Sequence, residues 1–184
     1  MDPADLSLPA QTLPAAAIVD DRSVDMDVLL AQIVKTQQSA GRRVRGCVMR
    51  RPPRENGCAA TMVLVDIDTG DEYLVSQPMG TGSRACRADP QGFARASQVF
   101  RTALAEDPEL VVSNRFGDLE VLRGGFTEEL LAVMERGIPL LTTVPVRNVI
   151  AWQEFTGGGT LLPPDEAVVA AWVDKALSQA RQTA

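Results

Sequence analysis

The chain has 184 residues, is 45% hydrophobic and carries a formal charge of −6, which suits one domain able to bury its own core. The negative charge removes the electrostatic basis for binding nucleic acid nonspecifically. The absence of histidine excludes catalysis by a histidine base, and it removes the usual fourth ligand from any zinc site built on the three cysteines.

Residues 1–13 are rich in proline and lack a basic stretch followed by an apolar run, so they are expected as a flexible tail ahead of one domain at 14–184. No apolar stretch approaches the roughly 20 residues needed to span a bilayer, and a cytoplasmic protein without membrane insertion is expected. Ala15 to Val19 reads as a short strand. Met26, Leu29, Leu30, Ile33 and Val34 recur at helical spacing, and Gly41 marks the stop. Arg43 to Met49 reads as a second strand. ATMVLVDIDTGDEYLVSQ then gives two strand-like runs around Asp68-Thr69-Gly70, an inserted β-hairpin over 60–77.

Asp89 and Pro90 suit the N-cap and first position of a helix whose apolar stripe is Phe93, Ala96, Phe100, Ala103 and Leu104. Glu109 to Val112 is a strand, and SNRFGDLEVLRGGF is expected as a loop. Thr127 is placed as the cap of a helix stopped by Gly137, and Pro139 to Val144 as a further strand. A short helix around Asn148 to Phe155 and a last amphipathic helix through Val169, Trp172 and Val173 complete the chain. Alternating strands and helices imply a three-layer α/β fold with a mainly parallel, doubly wound sheet.

Ligands of such sheets gather at the carboxyl ends of the strands. Asp20, Asp21 and Arg22 follow the first strand, Arg50 and Arg51 the second, and Ser113, Asn114 and Arg115 the strand at 109–112, so these groups are expected on one rim. The loop GTGSRACRADP adds Gly80, Gly82 and Ser83, whose backbone N–H groups can approach an anion, and the forked donors of Arg84 and Arg87. The same loop also reads as an ordinary polar loop with solvated arginines. Cys86, between those arginines and near a helix start, fits a nucleophile, a soft metal ligand, a redox-sensitive thiol or a small packed residue. Asp20 and Asp21, with Asp25 and Asp27, fit a Mg²⁺ site beside a nucleotide, or acids stabilised by the helix dipole.

The stretches AAAIVDDRSVDMDVLL, VLVDIDTGDEYLVSQ, GTGSRACRADP, NRFGDLE and GIPLLTTVPVRN resemble a bacterial domain family of unknown function, NTPase-like and similar to the P-loop nucleoside-triphosphatases that carry a hairpin after their second strand. The resemblance implies a P-loop-type fold, nucleotide binding and an occasional association with molybdenum transport. The departures from a working P-loop enzyme are severe. Where G-x-x-x-x-G-K-[ST] supplies a glycine cradle, a lysine and a hydroxyl, this chain has DDRSVDMD, and its only lysines are Lys35 and Lys175. Ser113, Asn114 and Arg115 stand where an acidic pair belongs, although Gly117 and Glu120 keep the later part of that pattern.

The reading expected from these residues is a noncatalytic or accessory protein that binds a nucleotide with Mg²⁺, or an oxyanion such as molybdate, through Gly80, Gly82, Ser83, Arg84, Arg87, Asn114, Arg115 and Arg22. An unconventional nucleoside-triphosphate hydrolase, or an enzyme using Cys86, is the second reading. An interaction module that pairs or dimerises through the hairpin 60–77 is the third.

Overall fold

Ala15–Asp20 (β1) is apolar on both faces because it lies inside the sheet, covered by helices on either side, which is the condition that selects an uninterrupted apolar run. The computed structural model describes residues 14–52, 61–78 and 86–183. After β1 come α1 (Met26–Ser39), β2 (Val44–Arg50), β3 (Val63–Asp66), β4 (Glu72–Leu74), β5 (Ser76–Pro78), β6 (Cys86–Ala88) and α2 (Pro90–Ala105). The second half holds β7 (Leu110–Ser113), α3 (Asp118–Val121), α4 (Thr127–Glu135), β8 (Leu140–Pro145), a single 3₁₀ turn, α5 (Val149–Thr156), β9 (Thr160–Leu162) and α6 (Glu166–Thr183).

Seven strands form one sheet in the order β4-β3-β2-β7-β8-β1-β9. β2, β7, β8, β1 and β9 run parallel, while β3 pairs antiparallel to β2 and β4 antiparallel to β3. The expected hairpin therefore exists and extends the sheet at its β2 edge. Its turn is closed by the Asp66 carboxylate, which accepts the N–H of Asp68 at 2.8 Å, with Gly70 at φ +77°. The second run of the hairpin does not continue as one strand. Val75 is fully buried and its N–H bonds to Met62, after which β5 leaves the sheet to pair with β6.

Helices cover both faces. Leu30 and Ile33 of α1 and Val169 and Val173 of α6 pack on Ile18, Val44, Val112 and Leu141. On the other face Phe100 of α2, Leu130 of α4 and Trp152 of α5 pack on Ala17, Cys47 and Val111. Close approach fixes two glycines in this packing: a Cβ on Gly46 would lie 2.0 Å from the Val112 carbonyl oxygen, and one on Gly92 2.1 Å from that of Leu74. Among the described residues no helix is long and apolar enough to cross a membrane.

Two local expectations are corrected. The segment after β7, expected as a loop, contains the one-turn helix α3. Thr127 does not cap α4: Phe126 holds the N-cap position, and the Thr127 hydroxyl donates back to the Gly124 carbonyl at 2.5 Å. Elsewhere the helix signals hold, with the Asp89 carboxylate accepting the Gln91 N–H at 3.0 Å ahead of Pro90.

Candidate functional site

β1 and β8 are neighbours, with Asp20 level with Pro145, yet the chain leaves them in opposite directions across the sheet, to β2 and to β9. Such a divergence opens a crevice at the carboxyl ends of the strands. The turn from β1 into α1 lies there, and its carboxylates organise it. Asp20 accepts the N–H of Arg22 at 3.0 Å, and Arg22 is held at φ +66°. Asp21 accepts the N–H of Ser23 at 2.9 Å and its hydroxyl at 2.5 Å, and these two bonds hold its carboxyl below the usual carboxylate range. Asp25 caps α1, accepting the N–H groups of Asp27 and Val28 at 3.0 and 3.2 Å. The donors that a P-loop aims at phosphate are here partly satisfied by the chain's own carboxylate.

Asp27, in the first turn of α1, ties three elements together. One oxygen accepts Arg51 Nε from the end of β2 at 2.7 Å, and the other accepts Asn114 Nδ2 from the end of β7 at 2.8 Å. Arg115 follows Asn114 and is half-buried. Burial first, and then the neighbouring Arg51 guanidinium, draw its pKa down from the ordinary arginine value, while Asp27 and Asp20 oppose that. Asp20, Arg22, Asp25, Asp27, Arg51 and Arg115 together line a cleft of about 240 Å³. Neither the cleft's hydrogen bonds nor its ion pairs include a bond from the Arg115 side chain to a described residue.

Farther along the rim, Asp118 of α3 accepts from Nε and Nη2 of Arg147, with contacts of 3.0 to 3.2 Å, and from Asn148 Nδ2 at 2.9 Å. Arg147 first and then Asn148 hold the Asp118 carboxyl below its usual value. Behind this pair Glu120 is buried, and its two oxygens accept the N–H groups of Gly117 at 2.8 Å and Phe126 at 3.0 Å. Burial nevertheless pushes its pKa up. A Cβ on Gly125 would sit 2.0 Å from Glu120 Oε1, so the 117–126 loop is folded tightly around this carboxylate.

Of the residues expected from sequence, Asp20, Arg22 and Arg115 meet in the cleft, and Asn114 supports it from behind. Asp21 is turned into its own loop. Gly80, Gly82, Ser83 and Arg84 lie outside the described residues, as does Cys58. Cys86 belongs to β6 but its side chain is not among the described ones, and Arg87 is exposed on β6 and does not line the cleft. No group of three or more Cys, Asp or Glu among the described residues is arranged to hold a metal ion. Cys47 is buried in the core, which pushes its thiol pKa up and makes it inert. Lys35 and Lys175 are exposed on α1 and α6, away from the cleft lining. The sequence reading places Asp27 among the acids of the turn but not as the hub of the cleft, and it does not single out the Asp118–Arg147 pair. The strand-end rule that flagged Arg115 applies equally to Arg147.

Comparison with known proteins places these features in a family. A relative in Bradyrhizobium diazoefficiens, "Molybdenum import ATP-binding protein ModC 2", is 39% identical over 158 residues, which is 85% of this chain but 18% of that protein, so the chain spans under a fifth of that relative's length. The solution structure of a human cancer-related nucleoside triphosphatase superposes with a TM-score of 0.64 at 16% identity, covering 92% of this chain and 98% of that one. That likeness establishes the three-layer α/β fold of P-loop NTPase type expected from the sequence. Residues 15–172 match the family described as "Protein of unknown function (DUF2478)", and the chain belongs to that family.

Proposed function

We propose that this protein binds an anion, a nucleotide phosphate or a small oxyanion, in the cleft between the β1–α1 turn and the ends of β2 and β7. In this reading it acts as an accessory or regulatory protein and not as a conventional ATPase. One observation carries the proposal. Every carboxylate in the cleft already accepts a hydrogen bond from the chain itself, whereas the half-buried Arg115 guanidinium donates none to a described residue. A desolvated guanidinium with free forked donors is a receptor for phosphate-like groups. The nucleoside-triphosphatase fold and the ATP-binding relative support a nucleotide as one such ligand. A role in molybdenum handling is supported by the relative's name alone. Arg84 and Arg87, with the backbone of Gly82 and Ser83, are proposed as outer contacts to the ligand from the stretch of sequence before α2.

Phosphoryl transfer needs a cation at the β/γ-phosphates and a positioned acid or water at the strand end. The cleft lining has no lysine, and by the resemblance Ser113, Asn114 and Arg115 stand where the acidic pair would. The test is calorimetry with nucleotides, phosphate, molybdate and tungstate, run beside turnover assays with Mg²⁺. Binding without turnover, lost in Arg51→Ala plus Arg115→Ala, is the expected result. Undiminished binding in that double variant rejects the cleft, and the Arg84→Ala plus Arg87→Ala pair tests the outer contacts in the same way.

A second reading has one observation in its favour. β4 ends the sheet and its Leu74 is 48% exposed, so another copy or a partner strand could add there. Light scattering of Leu74→Lys against the parent chain checks it, an unchanged mass counting against pairing at that edge.

A further inference from the structure

The cleft mixes carboxylate acceptors with arginine donors, and two buried polar atoms lie behind it. Asn114 is 1% exposed, and its Nδ2 is committed to Asp27 while its Oδ1 has no partner among the described residues; the fully buried Ser113 Oγ beside it has none either. Buried polar atoms of this kind are normally satisfied, and an orphan next to a cleft marks a place where a bound group completes the set. Of the polar residues that line the cleft, Asp20, Asp25 and Asp27 only accept when ionised, and Arg22, Arg51 and Arg115 only donate. Asp27 is the most fixed of them: its side chain is 16% exposed and clamped by Arg51 and Asn114, which engage one lone pair on each oxygen and leave the others open.

An anion that engages both kinds of group has to accept from the guanidiniums and donate to a carboxylate. Sulfate, molybdate and tungstate carry no proton at neutral pH, so any oxygen they turn toward Asp27 or Asn114 Oδ1 meets a lone pair. Hydrogen phosphate, or a singly protonated phosphomonoester, offers oxygens to the guanidiniums and an O–H to the acceptors. We infer that the cleft selects protonated phosphate-type anions over fully deprotonated tetrahedral oxyanions, with Arg115 anchoring the charge and Asp27 reading the proton. This deepens the anion-binding proposal and rests on it.

The experiment is calorimetry on the full chain at pH 7 with inorganic phosphate, sulfate and molybdate. Phosphate should bind at least about tenfold more tightly than the other two, the size of one charge-assisted hydrogen bond. In Asp27→Asn, whose amide can donate, sulfate and molybdate should approach phosphate to within about threefold. A second arm needs no variant. A simple phosphomonoester loses its last proton at about pH 6, so its affinity for the parent chain should fall several-fold between pH 6 and 8 while that of sulfate does not follow. Equal binding of phosphate, sulfate and molybdate by the parent chain, or monoester binding that is flat across that range, overturns the proton selection and leaves the anion site standing. Failure of every oxyanion and nucleotide to bind overturns the site itself and the selection with it.

Discussion

Glu120 offers the sharpest separation between a chemical and a structural role. It is an ionisable group behind the rim, yet both of its oxygens are bonded to backbone N–H groups, of Gly117 at 2.8 Å and of Phe126 at 3.0 Å. The side chain is 4% exposed. Hydrogen bonds to a charged acceptor contribute about 1.5–3 kcal/mol each, and a buried N–H left without a partner costs about 1–3 kcal/mol. Glu120→Ala removes both bonds at once and should cost about 3–5 kcal/mol, a large share of the roughly 5–15 kcal/mol that stabilises a domain. Glu120→Gln keeps one acceptor and turns its NH₂ toward the other N–H, and should cost about 1–3 kcal/mol. Urea unfolding reads both values, and at about 2–4 °C per kcal/mol the Ala variant should melt roughly 10 °C lower. The pH dependence carries its own sign. Burial raises the Glu120 pKa, so the folded state holds this proton more tightly than the unfolded one. Its contribution to stability therefore rises as pH falls through the folded value and levels off below the ordinary carboxylate value. A cost below about 1 kcal/mol for Glu120→Ala would refute the structural role.

Two further outcomes follow from the same contacts. Asp118 behaves oppositely to Glu120: Arg147 and Asn148 lower its pKa, so its contribution is present above the ordinary carboxylate value and is lost as pH falls through the folded one. Urea midpoints of Asp118→Asn and the parent chain should therefore converge in acid and diverge at neutral pH, by a small amount because Asp118 and Arg147 are both exposed. Gly46→Ala should destabilise strongly, by at least about 3 kcal/mol in a chemical melt, because φ is +110° and the new Cβ would meet the Val112 carbonyl at 2.0 Å.

The elements legible in the sequence are those with enough residues to show a period. β1, β7 and β8 stand out as mainly apolar runs because both of their faces are covered, β2 shows alternation, and α1, α2 and α6 show a stripe, with a stop at Gly41 for α1 and a cap at Asp89 for α2. β5, β6, β9 and α3 have three or four residues each, too few to carry a pattern, and they form because their neighbours hold them. The cleft was half legible for a similar reason. The ends of parallel strands are predictable from topology, so Asp20, Arg22 and Arg115 could be placed together. The Asp118–Arg147 pair joins loops 29 residues apart, and no local spacing announces it. The departure of β5 from the hairpin's second run was equally hidden, because nothing in LVSQ distinguishes a strand that stays from one that peels away at Val75.

The acidic β1–α1 turn gains a physical account from Asp25. A helix start exposes N–H groups and a positive dipole end, and in a P-loop these hold phosphate. Here the Asp25 carboxylate accepts from Asp27 and Val28, so it satisfies the helix start from within the chain. Asp25→Ala should cost about 1 kcal/mol, the usual loss for an N-cap. It also frees those two N–H groups and removes one negative charge from the cleft, so phosphate should bind several-fold more tightly than to the parent chain. The two effects are linked: a ligand that binds only the folded state restores stability in proportion to its concentration over its dissociation constant. Melting curves with and without phosphate should then show the variant below the parent in buffer and closing the gap as phosphate is added. A variant that melts like the parent in buffer shows that Asp25 does not cap α1 in any way that matters. One that melts lower and gains nothing from phosphate shows that the helix start does not face the ligand.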